Sequence, residues 1–197
     1  MRIIALKVYK YDELSLKNQE KIRDRFRETQ CEYDWWEFVY EDATTIGKIL
    51  GIAIEDIYFS GFASQGDGCC FIGSYEFNPN WEKDLKAYAP QDEQLHEIGS
   101  ALADCQSGDV LLEAKITKAD HHYSHEGTVH IDVYDSEDSH EVDDPGISEA
   151  LRDFMRWIYK QLEAEYEYQM SDEAVEETIK ANEYEFCEGD LKIWHGE

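Results

Sequence analysis

The chain has 197 residues, 42% of them apolar, and its 5 Trp, 13 Tyr and 8 Phe are enough to build a folded core. Its formal net charge is −27, from 45 Asp and Glu against 18 Lys and Arg. That charge excludes direct binding to nucleic acid or to an anionic membrane, because like charges repel. The many aromatic residues exclude a disordered acidic tail.

The first third of the chain predicts one strand and two helices. Residues 2–9 alternate between polar and apolar side chains, which is typical of a strand. Ser15 is a favourable N-cap for a helix that ends near Glu28, and a second helix over residues 33–50 ends at Gly51. The apolar residues expected to face inward are Leu16, Ile22 and Phe26 in the first helix and Trp35, Phe38, Val39, Ile46, Ile49 and Leu50 in the second.

The middle of the chain predicts two β-hairpins. Residues 52–62 and 69–77 are strand-like, and the turn residues 64–68 between them include two glycines and an aspartate. This segment lacks the Gly-Lys-Ser/Thr of a phosphate-binding loop and the Gly-x-Ser-x-Gly of a nucleophile elbow, so we interpret it as a turn. Residues 110–118 and 128–133 predict the second hairpin.

Helices dominate the rest of the prediction. Residues 91–105 predict a helix before the second hairpin, and residues 135–146 an acidic loop after it. Ser171 begins a short helix near the end of the chain. A longer helix before it is predicted by an apolar stripe at spacings of three and four: Ile147, Leu151, Phe154, Ile158 and Leu162. We therefore predict a single α+β domain over residues 1–197, with two antiparallel hairpins forming a sheet packed with about five helices.

Negative charge is concentrated towards the end of the chain. Residues 1–30 carry a net +3, residues 31–130 a net −14 and residues 131–197 a net −16. The total equals the charge on roughly 46 Å of duplex DNA, at about one charge per 1.7 Å. The acidic helical region, residues 147–190, is either a solvated surface or a surface that imitates a phosphate backbone. Its candidate partner-binding residues are Glu149, Asp153, Glu163, Glu167, Asp172, Glu173, Glu176 and Glu177.

Histidines and cysteines form two further clusters. His121, His122, His125 and His130, together with Asp120 and Glu126, are candidates for a divalent metal site, but their spacing matches no established site. His121 and His122 are neighbours at a predicted strand end and should point in opposite directions, so we interpret the cluster as a polar hairpin connection. Cys69 and Cys70 lie in no metal or redox motif and are predicted to be buried thiols. We predict no metal, no cofactor and no catalytic residue.

Neither a membrane span nor a secretory signal is expected. The sequence has no run of about 18 apolar residues. Residues 1–7 lack the long apolar run and the small-residue cleavage site of a signal peptide. The five cysteines have no disulfide-framework spacing, which favours reduced thiols in a cytoplasm.

Aromatic and acidic residues are mixed in residues 33–42. Tyr and Trp are favoured at protein interfaces. Trp36 and Tyr40 lie on the flank opposite Phe38 and are candidates for exposed contact residues.

Seven short segments of the sequence are distinctive motifs. They are YDWWE at residues 33–37, IYFSGF at 57–62, SQGDG at 64–68, YAPQD at 88–92, LRDFMRWIY at 151–159, EYEY at 165–168 and ANEYEF at 181–186. Together they resemble a family found in phages and bacterial prophages. Its members are mostly hypothetical proteins, and some carry the label "antitoxin of toxin-antitoxin stability system". The resemblance implies a phage-type accessory protein in the cytoplasm of a bacterial host, and it brings no catalytic residues.

These observations lead to three hypotheses. The first is an anti-defence inhibitor, anti-restriction or anti-CRISPR, whose acidic, DNA-mimicking surface binds the basic groove of a host nuclease or of a restriction or CRISPR effector. The alternative is an antitoxin that neutralises a small protein toxin, with Arg23, Arg25 and Arg27 as the one basic feature suited to DNA autoregulation. The third is an enzyme or metal-binding protein, which requires a concave site with perturbed carboxylates or a bound metal, for instance at the histidine cluster; the sequence indicates no such site.

Overall fold

The computed structural model describes residues 7–30, 34–106, 111–187, 189 and 191–194. This part of the chain contains six α-helices, a four-stranded antiparallel sheet and a two-stranded antiparallel sheet, which confirms the predicted α+β class. In chain order the elements are β1 (Val8–Lys10), α1 (Leu16–Gln30), α2 (Glu37–Leu50), β2 (Ile52–Ser60), β3 (Gly68–Glu76), α3 (Trp81–Tyr88), α4 (Glu93–Asp104), β4 (Leu112–Lys118), β5 (Val129–Asp135), α5 (Pro145–Gln169), α6 (Asp172–Ala181) and β6 (Glu185–Cys187). Helix α3 has no counterpart in the prediction.

The chain is divided into two compact units. Unit 1 is drawn from Met1–Trp35 and Ala164–Glu197, and unit 2 is Trp36–Glu163. Helix α5 begins in unit 2, and its final residues belong to unit 1. No helix within the described residues is long and apolar enough to cross a membrane.

The four-stranded sheet belongs to unit 2 and has the order β2-β3-β4-β5, with each neighbouring pair antiparallel. The two predicted hairpins, β2–β3 and β4–β5, are confirmed and join through β3 and β4. In the first hairpin the register runs from Ile52 opposite Tyr75 to Ser60 opposite Gly68, with one irregularity in β2. The sheet therefore has two edge strands, β2 and β5.

Gly51 ends helix α2, as predicted. Its φ is +85°, in the left-handed region that glycine adopts without strain, and its N–H bonds back to the carbonyl groups of Gly47 and Lys48. A Cβ at this position would overlap the carbonyl oxygen of Glu76. The chain can turn directly from α2 into β2 because residue 51 has no side chain.

The apolar stripe of helix α5 forms the centre of the unit 2 core. Its five residues, predicted from their spacing, are all buried: Ile147, Leu151, Phe154, Ile158 and Leu162. The Phe154 ring lies 5.9 Å from the Phe71 ring of β3, measured between centroids, and 5.8 Å from Trp157. These contacts pack α5 against the sheet.

Cys69 and Cys70 are buried, unbridged neighbours on β3, which confirms the prediction for both thiols. Successive strand residues point to opposite faces, so β3 is covered on both faces at this point. Burial raises the pKa of the Cys69 thiol and, less strongly, that of Cys70. Both groups are therefore protonated, unreactive thiols at neutral pH.

Unit 1 has its own small sheet and core. Strands β1 and β6 pair antiparallel, with Tyr9 opposite Phe186. The strand predicted over residues 2–9 is seen as β1, while residues 2–6 lie outside the described part. The buried core of the unit comprises Tyr11, Ile22, Val175, Ile179, Phe186 and Leu191.

Two residues predicted to face inward are exposed. The side chains of Leu16 and Phe38 are 83% and 80% accessible. Leu16 is the first residue of α1, and α2 begins only at Glu37, so both side chains lie in the first turn of their helix. The buried residues of α2 are Ala43, Ile46, Gly47 and Leu50. Phe38 is about 140° around the helix from Ala43 and therefore faces solvent.

We expect Phe154→Ala to lower the free energy of unfolding by about 3–5 kcal/mol, because it empties a fully buried site between Phe71 and Trp157. Phe38→Ala removes the same ring from an exposed position and should change stability by less than about 0.5 kcal/mol. Urea denaturation followed by circular dichroism measures both. Equal losses in the two variants would contradict the exposure of Phe38.

Stability should also fall at alkaline pH. Burial raises the pKa of Tyr75 from 10.0 to about 12. Between these values the unfolded chain loses the proton and the folded chain keeps it, so the free energy of unfolding falls as pH rises, by up to about 1.4 kcal/mol per pH unit. Tyr75→Phe removes the ionising group. Urea titrations between pH 9 and pH 12 should show a shallower fall for this variant than for the wild type.

Candidate functional site

In unit 2, helix α5 carries three of the candidate partner-binding acids, and two of them are ion-paired. One Nη of Arg156 lies 2.8 Å from the Glu149 carboxylate and 2.6 Å from Asp153, while its Nε lies 3.3 Å from Glu126. The hydrogen bond to Glu149 is the largest of several that raise the pKa of Arg156 above its ordinary value. Glu163 has no basic partner within the described ranges. Glu149 and Asp153 are therefore partly neutralised, and Glu163 is not.

In unit 1, two further candidates form an ion network with helix α1. Arg23, whose side chain is only 16% exposed, donates to Glu176 at 2.9 Å and to the Tyr11 hydroxyl at 2.8 Å. Its Nε lies 3.2 Å from Asp172, an ion pair without an aligned hydrogen bond. Arg27 also donates to Asp172. These pairs connect α1 to α6, so Asp172 and Glu176 are part of the fold of the unit.

The three remaining candidate acids of unit 1 have no basic partner among the described residues. Glu167, Glu173 and Glu177 are exposed and have no basic partner in the part of the chain that the structure describes. The Tyr168 hydroxyl donates to Glu177 at 3.4 Å, and the negative charge of Glu177 raises the pKa of Tyr168. We call Glu167, Glu173 and Glu177 the unpaired acids of unit 1. The sequence did not separate them from the paired ones, because Arg23 and Glu176 are 153 positions apart.

The three arginines considered for DNA autoregulation are occupied inside unit 1. Arg23 and Arg27 pair with the carboxylates of α6, and Arg25 donates to the backbone carbonyl of Leu191 at 2.8 Å. A phosphate backbone would have to compete with these bonds. These three arginines therefore do not form a free basic surface.

The histidine cluster lies in the connection between β4 and β5. The His121 and His122 rings are stacked with centroids 4.9 Å apart, so the prediction that they point in opposite directions is wrong. The alternation of a strand does not apply to them because β4 ends at Lys118. His121 and His125 each accept a backbone N–H at 3.1 Å, from Tyr123 and Gly127. Within the described residues, no group of three His, Cys, Asp or Glu is arranged to hold a metal ion.

The glycine-rich segment between β2 and β3 is a turn closed by its own aspartate. The Asp67 carboxylate accepts the backbone N–H groups of Ala63 and Ser64 at 2.8 and 2.6 Å. The Tyr159 hydroxyl donates to the carbonyl oxygen of Gly61 at 3.1 Å and fixes the turn to α5. The interpretation of this segment as a turn is confirmed.

A row of four aromatic rings lies beside this turn and was not predicted. Trp36 packs on Phe59, Phe59 on Phe62, and Phe62 on Tyr159, with centroid distances of 5.4–5.8 Å. All four side chains are half-buried, and so is that of Tyr40, whose pKa is raised by burial. Trp36 and Tyr40 therefore pack within unit 2. Both side chains are half-buried, whereas from the sequence they were candidates for exposed contact residues.

A groove between α4 and α5 was not predicted from the sequence. Its volume is about 580 Å³, and it lies wholly within unit 2. Its lining residues are Glu93, Gln94, Glu97, Ile98, Ala101, Asp153 and Lys160. Glu93, Glu97 and Ala101 are four residues apart and therefore lie on one face of α4. This spacing is the feature of the groove that is visible in the sequence.

The structure thus defines an acidic α+β protein with exposed carboxylates on its helices, strands and loops. A family model described as "Domain of unknown function (DUF8835)" matches residues 35–172. This is more than half of the chain, so the protein belongs to that family. Comparison with curated proteins and with solved structures gives no match. The matched range covers all of unit 2 and ends at Asp172, the first residue of α6.

We expect Arg23→Met to lower the free energy of unfolding by about 1–3 kcal/mol, because it leaves Asp172, Glu176 and the Tyr11 hydroxyl without their shared donor. Lys21→Met is the matched control: Lys21 is an exposed base on the same helix, and its loss should matter by less than about 0.5 kcal/mol. Urea denaturation compares the two. An Arg23→Met variant as stable as Lys21→Met would show that the network does not hold α1 to α6.

Proposed function

We propose that this protein is an anti-defence inhibitor, of the anti-restriction or anti-CRISPR kind, that occupies a basic nucleic-acid-binding groove of another protein. The observation that carries the proposal is the set of unpaired acids of unit 1. Glu167, Glu173 and Glu177 are exposed on helices, and no described Lys or Arg neutralises them. Carboxylates in this state are free to bind arginine and lysine side chains of a partner.

The net charge gives such an inhibitor a kinetic advantage. A charge of −27 attracts a basic surface over a distance set by the ionic strength, about 10 Å at 0.1 M salt. Electrostatic steering of this kind raises association rates well above those of neutral surfaces. Each exposed ion pair contributes only about 0.2–1 kcal/mol, so binding has to use many pairs at once. Binding should therefore weaken steeply as salt is added.

The resemblance to phage and prophage proteins supports the same proposal. A phage benefits from a protein that blocks host nucleases, and blocking requires occupancy of the groove without a chemical step. The site of action would be the cytoplasm of a bacterial host. An acidic surface and a basic DNA-binding groove are complementary in charge, and the net charge of the whole chain equals that of roughly 46 Å of duplex.

The first experiment is capture of the partner. The tagged protein is passed through a bacterial lysate at about 50 mM and about 500 mM NaCl, and the retained proteins are identified. We expect a nucleic-acid-binding protein that is retained only at low salt. Adding the acidic protein to the purified partner should then displace labelled duplex DNA. Capture of one small, salt-resistant protein with no DNA affinity would favour the antitoxin alternative instead.

Charge reversal then tests the surface. We expect Glu167→Lys/Glu173→Lys/Glu177→Lys to weaken binding to the captured protein by about 30-fold or more, since three attractive pairs become repulsive. The control is Glu55→Lys/Glu113→Lys/Glu137→Lys, three exposed acids of unit 2. Both triple variants change the net charge from −27 to −21.

Fluorescence anisotropy at constant salt measures both variants against the wild type. Equal weakening in the two variants would mean that only total charge matters, and the proposed surface would be wrong. Thermal unfolding of each variant checks that the fold is kept. Asp172 and Glu176 are left unchanged because they pair with Arg23.

A further inference from the structure

The two edges of the four-stranded sheet differ in how well they can accept a further strand. The β2 edge is interrupted by an irregularity between Ile54 and Asp56, where the acids Glu55 and Asp56 also lie. Such interruptions and charges keep other strands from pairing with an edge. Strand β5 pairs with β4 in one continuous register. The β5 edge is therefore the more regular of the two.

Every second residue of β5 turns its backbone towards this edge. Just beyond one end of β5, the N–H of Ser136 donates to the carbonyl oxygen of Leu111 at 2.9 Å. Just before the other end, the carbonyl oxygen of Thr128 accepts the N–H of Ala119, also at 2.9 Å. In an antiparallel pair these bonds recur at every second residue, so the even-numbered residues of β5 bond to β4. The odd-numbered residues point their N–H and C=O groups away from β4.

Residues 140–142 already cover one half of the β5 edge. The N–H of Asp135 and the carbonyl oxygen of Val133 each form a hydrogen bond of 2.9 Å with the backbone of this segment. The N–H of Asp144 then donates to the carbonyl oxygen of Val142 at 3.1 Å, which turns the chain away from β5. Residues 140–142 are thus the beginning of a fifth strand that stops after Val142.

Ile131 is the next residue whose backbone faces the edge. Within the described ranges, neither its N–H nor its C=O has a hydrogen-bond partner. We call the stretch Val129–Ile131, which residues 140–142 do not cover, the open half of the β5 edge. It presents a donor and an acceptor where a longer fifth strand would bind them.

A groove of about 450 Å³ lies beside this edge. Its apolar lining comes from Ile131, Val133 and Val142. Glu141 and Asp143 also line it, and both are exposed and without an ion pair to any described Lys or Arg. Side chains alternate along a strand, so an added strand with apolar residues at every second position places them on the apolar lining. Basic residues at the positions between then lie near the two carboxylates.

We propose that the open half of the β5 edge binds an extended segment of the basic partner protein, in which basic and apolar residues alternate, as an added strand. The edge-facing backbone of Ile131 calls for an extended occupant, and the carboxylates of Glu141 and Asp143 call for a basic one. A second copy of this chain fits less well, because it would bring the same carboxylates to the edge and like charges repel. The inference rests on the proposed function, since it supposes a basic partner, and it adds the conformation and the place in which that partner is bound.

The test uses a fluorescein-labelled heptapeptide in which arginine and valine alternate, and anisotropy with the full-length protein at about 150 mM NaCl. The control peptide has the same side chains and charge but carries N-methyl groups on its valines. The residue opposite Ile131 has its side chain on the same sheet face as Ile131 and is therefore a valine, so methylation removes the N–H that pairs there. We expect the unmodified peptide to bind about tenfold more tightly than the methylated one.

Hydrogen exchange followed by NMR locates the bound peptide. Saturating peptide should slow exchange of the Ile131 N–H by about tenfold or more, because this group gains a partner. The N–H of His130 faces β4 and is already bonded in the free protein, so its exchange should change less than about twofold.

Variants separate the backbone contribution from the charge contribution. Ile131→Pro removes the edge N–H, which a strand tolerates at an outward position, and should weaken peptide binding about tenfold. Glu141→Gln/Asp143→Asn should weaken it about fivefold, since two ion pairs are lost. Glu113→Gln/Asp120→Asn makes the same charge change at exposed positions outside the groove and should alter binding less than about twofold. Thermal unfolding checks each variant, and if Ile131→Pro does not fold, the methylated peptide decides the same point.

Four results overturn the edge proposal. They are equal binding of the two peptides, unchanged exchange of the Ile131 N–H at saturating peptide, equal binding by the Glu141→Gln/Asp143→Asn variant and its control, and failure of the wild-type protein to bind the peptide. The proposed function is judged separately, by whether the captured partner loses its DNA to the acidic protein. Peptide binding at the β5 edge without displacement of DNA would contradict the proposed function alone.

Discussion

Repulsion among the carboxylates is the constraint on which the other features of this structure depend. With 45 acidic residues and 18 Lys and Arg, each unit needs apolar burial and well-placed cations to stay folded. Two arginines supply such cations. Arg23 joins the helices α1 and α6 in unit 1, and Arg156 binds three carboxylates in unit 2. Arginine suits this role because its planar head donates several hydrogen bonds in fixed directions.

This use of the cations divides the acids into two kinds. Asp172 and Glu176 connect α6 to α1 through Arg23, so their removal would destabilise unit 1. Glu173 and Glu177 alternate with them on α6 but have no basic partner among the described residues. Neighbouring acids on one short helix thus have different roles. A loss of binding on mutation reports on an interface only at the second kind.

Local patterns in the sequence predicted the parts of the fold that depend on local rules. The stripe of α5 and the turn closed by Asp67 follow from helical spacing and from turn chemistry. The exposure of Phe38 does not follow from its apolar character, because the face of α2 that contacts β2 includes the small residue Gly47. The pairing of Arg23 with Glu176 and the α4–α5 groove were not predictable, since both depend on which distant segments meet. Binding surfaces made from several helices are of this second type.

Hydration separates the two kinds of acid in energetic terms. Glu167, Glu173 and Glu177 are exposed, so an ion pair formed by any of them is worth about 0.2–1 kcal/mol and is screened by salt. The side chain of Arg23 is only 16% exposed, so its pairs with Asp172 and Glu176 are screened less. The same carboxylate chemistry therefore stabilises the fold where the cation is partly buried, and leaves the carboxylates hydrated where no cation among the described residues is near.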